Sequence, residues 1–138
     1  MRFLIILFFS FSFSSLYAQS VKKKDQYGAS IVYLDGATLK SKDKYGQALY
    51  YYDGQSIRRK DKYGQALYFM DASNLRLKDR YGQSIFYFDG QSIREKDRYG
   101  KALYFIDGQK LRYKDRYGEV LYYFEGIPER WVIVCLIQ

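Results

Sequence analysis

In 138 residues the chain has no histidine, one cysteine, one proline and one tryptophan. Without histidine, the commonest general base and metal ligand is missing. Cys135 alone excludes an internal disulfide framework. It sits in the apolar run Trp131-Val132-Ile133-Val134-Cys135-Leu136-Ile137, which suits a buried thiol, with an intermolecular disulfide as the alternative. Ser30, Ser56, Ser84 and Ser92 have no triad partner, and the cysteine has no base beside it. These absences point away from an enzyme and call for no cofactor. The many aspartates are periodic, which speaks for turns. Nine-residue calcium repeats need a Gly-Gly-x-Gly-x-Asp density that is not here.

What is abundant is positive charge, 23 Lys and Arg against 15 Asp and Glu, and aromatic residues at 20%. The N-terminus reads as an export signal. Arg2 supplies a positive end, Phe3–Phe13 an apolar stretch, and Ala18 a small residue at the cleavage position. Residues 1–18 are therefore expected to be a signal peptide and 19–138 a single β-repeat domain with a net charge of +7. The expected destination is the periplasm, cell surface or exterior. The mature chain has no apolar run long enough to span a bilayer as a helix.

The domain repeats every 18 residues. Asp25, Asp43, Asp61, Asp79, Asp97 and Asp115 are each followed by x-Tyr-Gly. A second mark comes ten residues after each, mostly Asp-Gly, from Asp35-Gly36 to Glu125-Gly126. All eleven glycines fall at these two marks, and the residues between them are β-branched, aromatic or long-chain. Two turns and two short segments per unit predict six β-hairpins and leave no room for a helix. Asp-x-Tyr-Gly suits a type I turn, with Asp first and Gly fourth. A bulged three-residue loop closed by left-handed glycine is expected at both marks. That register collects Leu49, Tyr51 and Ile57 on one face, and Leu67, Phe69 and Leu75 on the same face of the next unit. A two-residue Asp-Gly turn is the competing choice.

The second segment of each unit carries alternating cations. They include Arg58, Arg76, Arg94 and Arg112, with Lys60, Lys78, Lys96 and Lys114 two residues on. In the bulged register Arg58 lies opposite Tyr68, Arg76 opposite Phe86, Arg94 opposite Tyr104 and Arg112 opposite Tyr122. This gives a ladder of guanidinium against ring, and these twelve residues form the predicted binding face. The sixth unit departs: residues 127–138 lose the basic stripe and read as an apolar capping strand.

Twelve short antiparallel strands predict an all-β meander curled into a barrel-like or flower-like array, because a flat sheet would leave two open edges. A β-solenoid is the alternative, at the expense of stacking Lys on Lys and Arg on Arg. The run at 45–58, Tyr-Gly-Gln-Ala-Leu-Tyr-Tyr-Tyr-Asp-Gly-Gln-Ser-Ile-Arg, is repeated and closed by Trp131-Val132-Ile133-Val134. Over residues 25–137 it resembles the bacterial four-fold β-flower proteins, small exported proteins of short Tyr/Gly-marked strands. The resemblance implies a radial strand array and brings no biochemical activity. Tyr122–Gly126 and Phe86–Gly90 bear a weaker likeness to choline- and glucan-binding repeats. Those form their ligand cages from tryptophans, and Trp131 lies outside the repeats, so no choline site is carried over.

Two roles follow as expectations. One is a binding module for an anionic glycan or envelope polymer. The other is a structural or assembly scaffold that associates with itself through Trp131–Ile137. Charge and rings would also suit nucleic acid, but the export signal argues against it.

Overall fold

The computed structural model describes residues 19–138, so the expected signal peptide lies outside the described residues. Twelve antiparallel strands form a closed meander barrel. They are β1 (Ser20–Lys23), β2 (Ser30–Asp35), β3 (Thr38–Ser41), β4 (Ala48–Tyr52), β5 (Ser56–Arg59) and β6 (Ala66–Asp71). The second half comprises β7 (Asn74–Leu77), β8 (Ser84–Asp89), β9 (Ser92–Glu95), β10 (Ala102–Asp107), β11 (Lys110–Tyr113) and β12 (Val120–Phe124). The chain ends in a helix, α1 (Arg130–Ile137). The repeats thus form a meander of hairpins and not the coils of a solenoid. No helix among the described residues is long and apolar enough to cross a membrane.

The two kinds of turn differ from each other. At the Asp-Gly mark the loop has two residues. Asp35 pairs with Thr38, Asp71 with Asn74 and Asp89 with Ser92. The first loop residue takes positive φ, +62° at Gly36 and +53° at Ala72, the requirement of a type II′ hairpin turn. At the Tyr-Gly mark the expected type I turn forms. The Gly46 N–H donates to the Asp43 carbonyl at 2.9 Å, and the Tyr45 N–H to Asp43 Oδ1 at 2.9 Å. The aspartates are turn-formers, as their period implied.

That turn's glycine is not left-handed as expected. The left-handed residue is the lysine before each aspartate, at Lys24, Lys42, Lys60, Lys78, Lys96 and Lys114, with φ between 66° and 71°. Glycine is required for another reason. A Cβ on Gly82 would lie 1.6 Å from the Leu77 carbonyl oxygen, and the other Tyr-Gly glycines meet the same obstacle.

The two-residue loops reverse the expected faces of the first strand in each hairpin. Tyr51 pairs with Arg58 and Tyr52 with Ile57. The interior therefore receives Tyr50, Tyr52, Tyr68, Met70, Phe86 and Phe88 in place of Leu49, Tyr51, Leu67 and Phe69. From the second strands it takes Leu39, Ile57, Leu75, Ile93 and Leu111, all buried as the alternation predicts.

The C-terminal segment is the larger correction: residues 130–137 form a helix where a capping strand was expected. Trp131, Val132, Ile133 and Val134 are consecutive and all at most 3% exposed. Four successive helical residues sweep through most of a full turn, so the helix is enclosed on every side. It fills the lumen. A closed ring of twelve strands about 4.8 Å apart is roughly 20 Å across, and the side chains lining the wall take about 5 Å from each side, leaving about the 10 Å width of one helix. Among the described residues the barrel is closed, so no strand edge remains to pair with this backbone. An α-helix satisfies its polar groups internally, and this overrides the β-propensity of Val-Ile-Val.

Closure itself comes from the other terminus. The strand β1 pairs with β12, Val21 opposite Phe124 and Lys22 opposite Tyr123. Ser20-Val21-Lys22 matches the [Ser/Thr]-[Leu/Ile]-Arg of the second strands, standing 18 residues before Thr38-Leu39-Lys40. The unit whose second strand became a helix thus borrows one from the start of the domain.

Two glycine substitutions separate these constraints. Gly82→Ala is expected to destabilise by several kcal/mol in denaturant titration, because backbone must move. Gly90→Ala, where Ala72 already occupies the equivalent position of another unit, is expected to cost about 1 kcal/mol.

Candidate functional site

The predicted ladder of Arg58, Arg76, Arg94 and Arg112 against Tyr68, Phe86, Tyr104 and Tyr122 does not form. Tyr68 pairs with Ile57 and Phe86 with Leu75, both across the interior face, while Arg58 lies opposite Ala66 and Tyr51 on the outside. The arginines are committed to the fold. Arg58 Nε donates to Asp53 Oδ2 at 2.9 Å and Nη1 to the Gly64 carbonyl at 3.1 Å. Arg76, Arg94 and Arg112 repeat both contacts. Lys40 reaches Asp35 at 3.0 Å, and Lys22 reaches Glu125 at 2.7 Å across the closure. Six equivalent ion pairs therefore ring the barrel. Burial alone would raise the Asp53 carboxyl, but N–H groups of Ser56 and Gln55 and the Arg58 guanidinium outweigh it and hold it below the ordinary value.

The four lysines grouped with these arginines part from them. The strand β5 ends at Arg59, and Lys60 lies in the connection that follows, with the left-handed backbone; Lys78, Lys96 and Lys114 do likewise. They belong to one end of the barrel, built from the six Tyr-Gly connections. At its tips stand Tyr27, Tyr45, Tyr63, Tyr81, Tyr99 and Tyr117, each more than four-fifths exposed. Five of these rings carry a cation 4.9–5.2 Å from the centroid: Lys44, Lys62, Arg80, Arg98 and Arg116.

Charge is distributed unequally between the two ends. Residues 23–29 and their five equivalents hold fourteen of the domain's 22 basic residues and eight of its 15 acidic ones. This crown thus carries +6 of the domain's +7. The Asp-Gly end is nearly neutral. Sequence reasoning placed the charge on a strand face; the signal it passed over was that Tyr and a cation are neighbours in five of six units.

The crown surrounds a mouth. The last residue of each second strand pairs with an inward-facing residue: Arg59 with Tyr50, Leu77 with Tyr68, Glu95 with Phe86, Tyr113 with Tyr104. Lys23 and Ser41 complete the rim opposite Tyr122 and Val32. No two units share a residue at this position, although its backbone is the one Tyr-Gly glycine packs upon. Around the ring, Lys23, Ser41 and Arg59 make a cationic side facing Leu77, Glu95 and Tyr113.

Below the mouth lie Cys135 and four tyrosines. Burial pushes the Cys135 thiol up to about 12. Burial first, then the neighbouring Tyr50 and Cys135, raises Tyr68; burial, then Tyr122 and Tyr113, raises Tyr104. The thiol is partly buried, and burial favours its protonated, less reactive form. Of the segment Trp131–Ile137, expected to carry self-association, Trp131–Val134 is buried in the barrel interior.

Comparison of the chain with protein-family profiles, curated proteins and solved structures gives no match.

A group whose folded pKa is raised favours the protonated folded state, so its contribution is whole below the unfolded value and disappears as pH rises through the folded one. For Cys135 the window runs from its ordinary 9.0 to about 12, with Tyr52, Tyr68 and Tyr104 acting in the same direction above 10.0. Unfolding free energy is expected to fall across pH 9–12 by about 1 kcal/mol per pH unit for the thiol alone. Cys135→Ala should flatten that slope in denaturant titrations, and the native thiol should resist a thiol reagent at pH 8 until the barrel is unfolded.

Proposed function

We propose that the protein is an exported, non-catalytic binding module whose Tyr-Gly crown holds an anionic glycan or comparable envelope polymer. One observation carries the reading: six lysines ring the crown in a left-handed backbone conformation. Such a conformation costs an L-residue with a long side chain roughly 1–2 kcal/mol, and glycine or asparagine would adopt it more readily. Strain repeated six times in one place motivates a role for the ammonium groups themselves. Each lysine stands three residues before an exposed tyrosine ring, and a cation backs that ring in every unit but that of Tyr27. Charge draws a polyanion to the crown and rings stack on the apolar faces of sugars.

The arginine ring at the waist has a different job. Its guanidiniums bind carboxylates and carbonyls of the chain itself, which supports the scaffold reading for that face alone.

The two faces are separable by substitution. Changing Lys42, Lys60, Lys78, Lys96 and Lys114 together to Asn is expected to abolish retention on an immobilised sulfated glycan at modest salt while leaving the melting temperature equal or higher. Changing Arg58, Arg76, Arg94 and Arg112 together to Gln is expected to lower stability by about 2–4 kcal/mol, at up to about 1 kcal/mol per exposed pair, with retention of the folded fraction largely kept. Unchanged retention of the lysine variant would overturn the reading.

A further inference from the structure

We propose that the crown contains one discrete subsite, the crevice at the open end of the β4–β5 hairpin, which takes a single sulfate or carboxylate group of the glycan together with its sugar ring. The proposal rests on the reading of the crown as a polyanion surface and narrows it to one place.

Crevices open between neighbouring connections of the crown. The one beside Arg59 has a volume of about 640 Å³, within the roughly 300–1,000 Å³ of small-molecule sites. Its lining includes Gln47, Tyr50, Arg59 and Lys60, with Leu49 and Leu67 as apolar wall. Among the described residues neither Arg59 nor Lys60 has a carboxylate partner, in contrast to the arginines of the waist. Arg59-Lys60 and Lys23-Lys24 are the only places where the variable rim position adds a second cation to the left-handed lysine.

The chemistry is that of an acidic saccharide. The Arg59 guanidinium offers a planar fork for two oxygens of one oxyanion, and the Lys60 ammonium a point charge beside it. Gln47 supplies an amide donor and acceptor for sugar hydroxyls, and Leu49 and Leu67 an apolar surface for the C–H face of the ring.

The equivalent crevice at the closure shows why there is one such subsite and not two. It is lined by Lys23, Lys24 and Tyr122, but Glu119 stands where Gln47 does, and its carboxylate lies 4.0 Å from Lys24 Nζ. A fixed carboxylate repels the ligand's own.

The test is calorimetric titration of a short sulfated oligosaccharide, with its unsulfated counterpart as control. Wild type is expected to bind the sulfated probe one to one. Arg59→Gln with Lys60→Gln should weaken binding at least tenfold. Lys78→Gln with Lys96→Gln removes the same charge from other parts of the crown and should weaken it less than threefold, melting temperatures of both variants staying near wild type. Equal losses from the two pairs, or a stoichiometry near six, would overturn the subsite while leaving the crown as a diffuse polyanion surface. No binding to wild type, and no retention on the sulfated column, would overturn both.

Discussion

Everything in this molecule depends on the pairing of one four-residue strand, β1, with β12. A meander of eleven strands with an unpartnered β12 would expose a strand edge and an open core. The strand β1 supplies the twelfth position, and its Lys22 completes the ring of ion pairs by reaching Glu125. Closure frees the end of the chain from strand duty and creates a lumen too wide for wall side chains to fill. The helix answers both conditions. Its Trp131 stacks on Tyr52 at 5.3 Å between centroids, and Ile133 and Val134 are wholly buried.

The eighteen-residue unit divides its labour by depth and by end. Its apolar residues face the lumen and its waist cations tie one unit to the next through a carboxylate and a backbone carbonyl. Each such pair is partly exposed and individually weak. Their value lies in fixing the spacing of six hairpins whose other contacts are generic. What remains is the crown, where lysines, tyrosines and a varied rim are held on rigid turns and are not consumed by the fold.

The repeat period, the hairpins, the type I turn at Asp-x-Tyr-Gly and the closed all-β meander were legible from residue spacing. The second strands were read onto the correct face because Leu39, Ile57, Leu75, Ile93 and Leu111 alternate with polar residues. The first strands were not, because runs such as Leu49-Tyr50-Tyr51-Tyr52 are apolar on both sides and leave the face to the turn. Asp-Gly adopts a two-residue loop, and that shift of one residue moved Tyr68 and Phe86 inward and dissolved the expected ladder. The left-handed lysines were hidden because nothing in lysine's own preference announces positive φ; the bulged connection imposes it. The helix was hidden for a similar reason, since Val132-Ile133-Val134 favours strand everywhere except inside a sealed barrel.

Closure is therefore the claim on which the rest stands, and amide hydrogen exchange of the domain tests it most directly. The Lys24 N–H donates to the Leu121 carbonyl and the Glu125 N–H to the Ser20 carbonyl, both across the junction. The account predicts protection of these two amides equal to that of Lys60 and Lys78, which make the matching bond to Leu49 and Leu67 inside the repeat array. Free exchange at Lys24 and Glu125 beside protected Lys60 and Lys78 would mean an open sheet, and would contradict it.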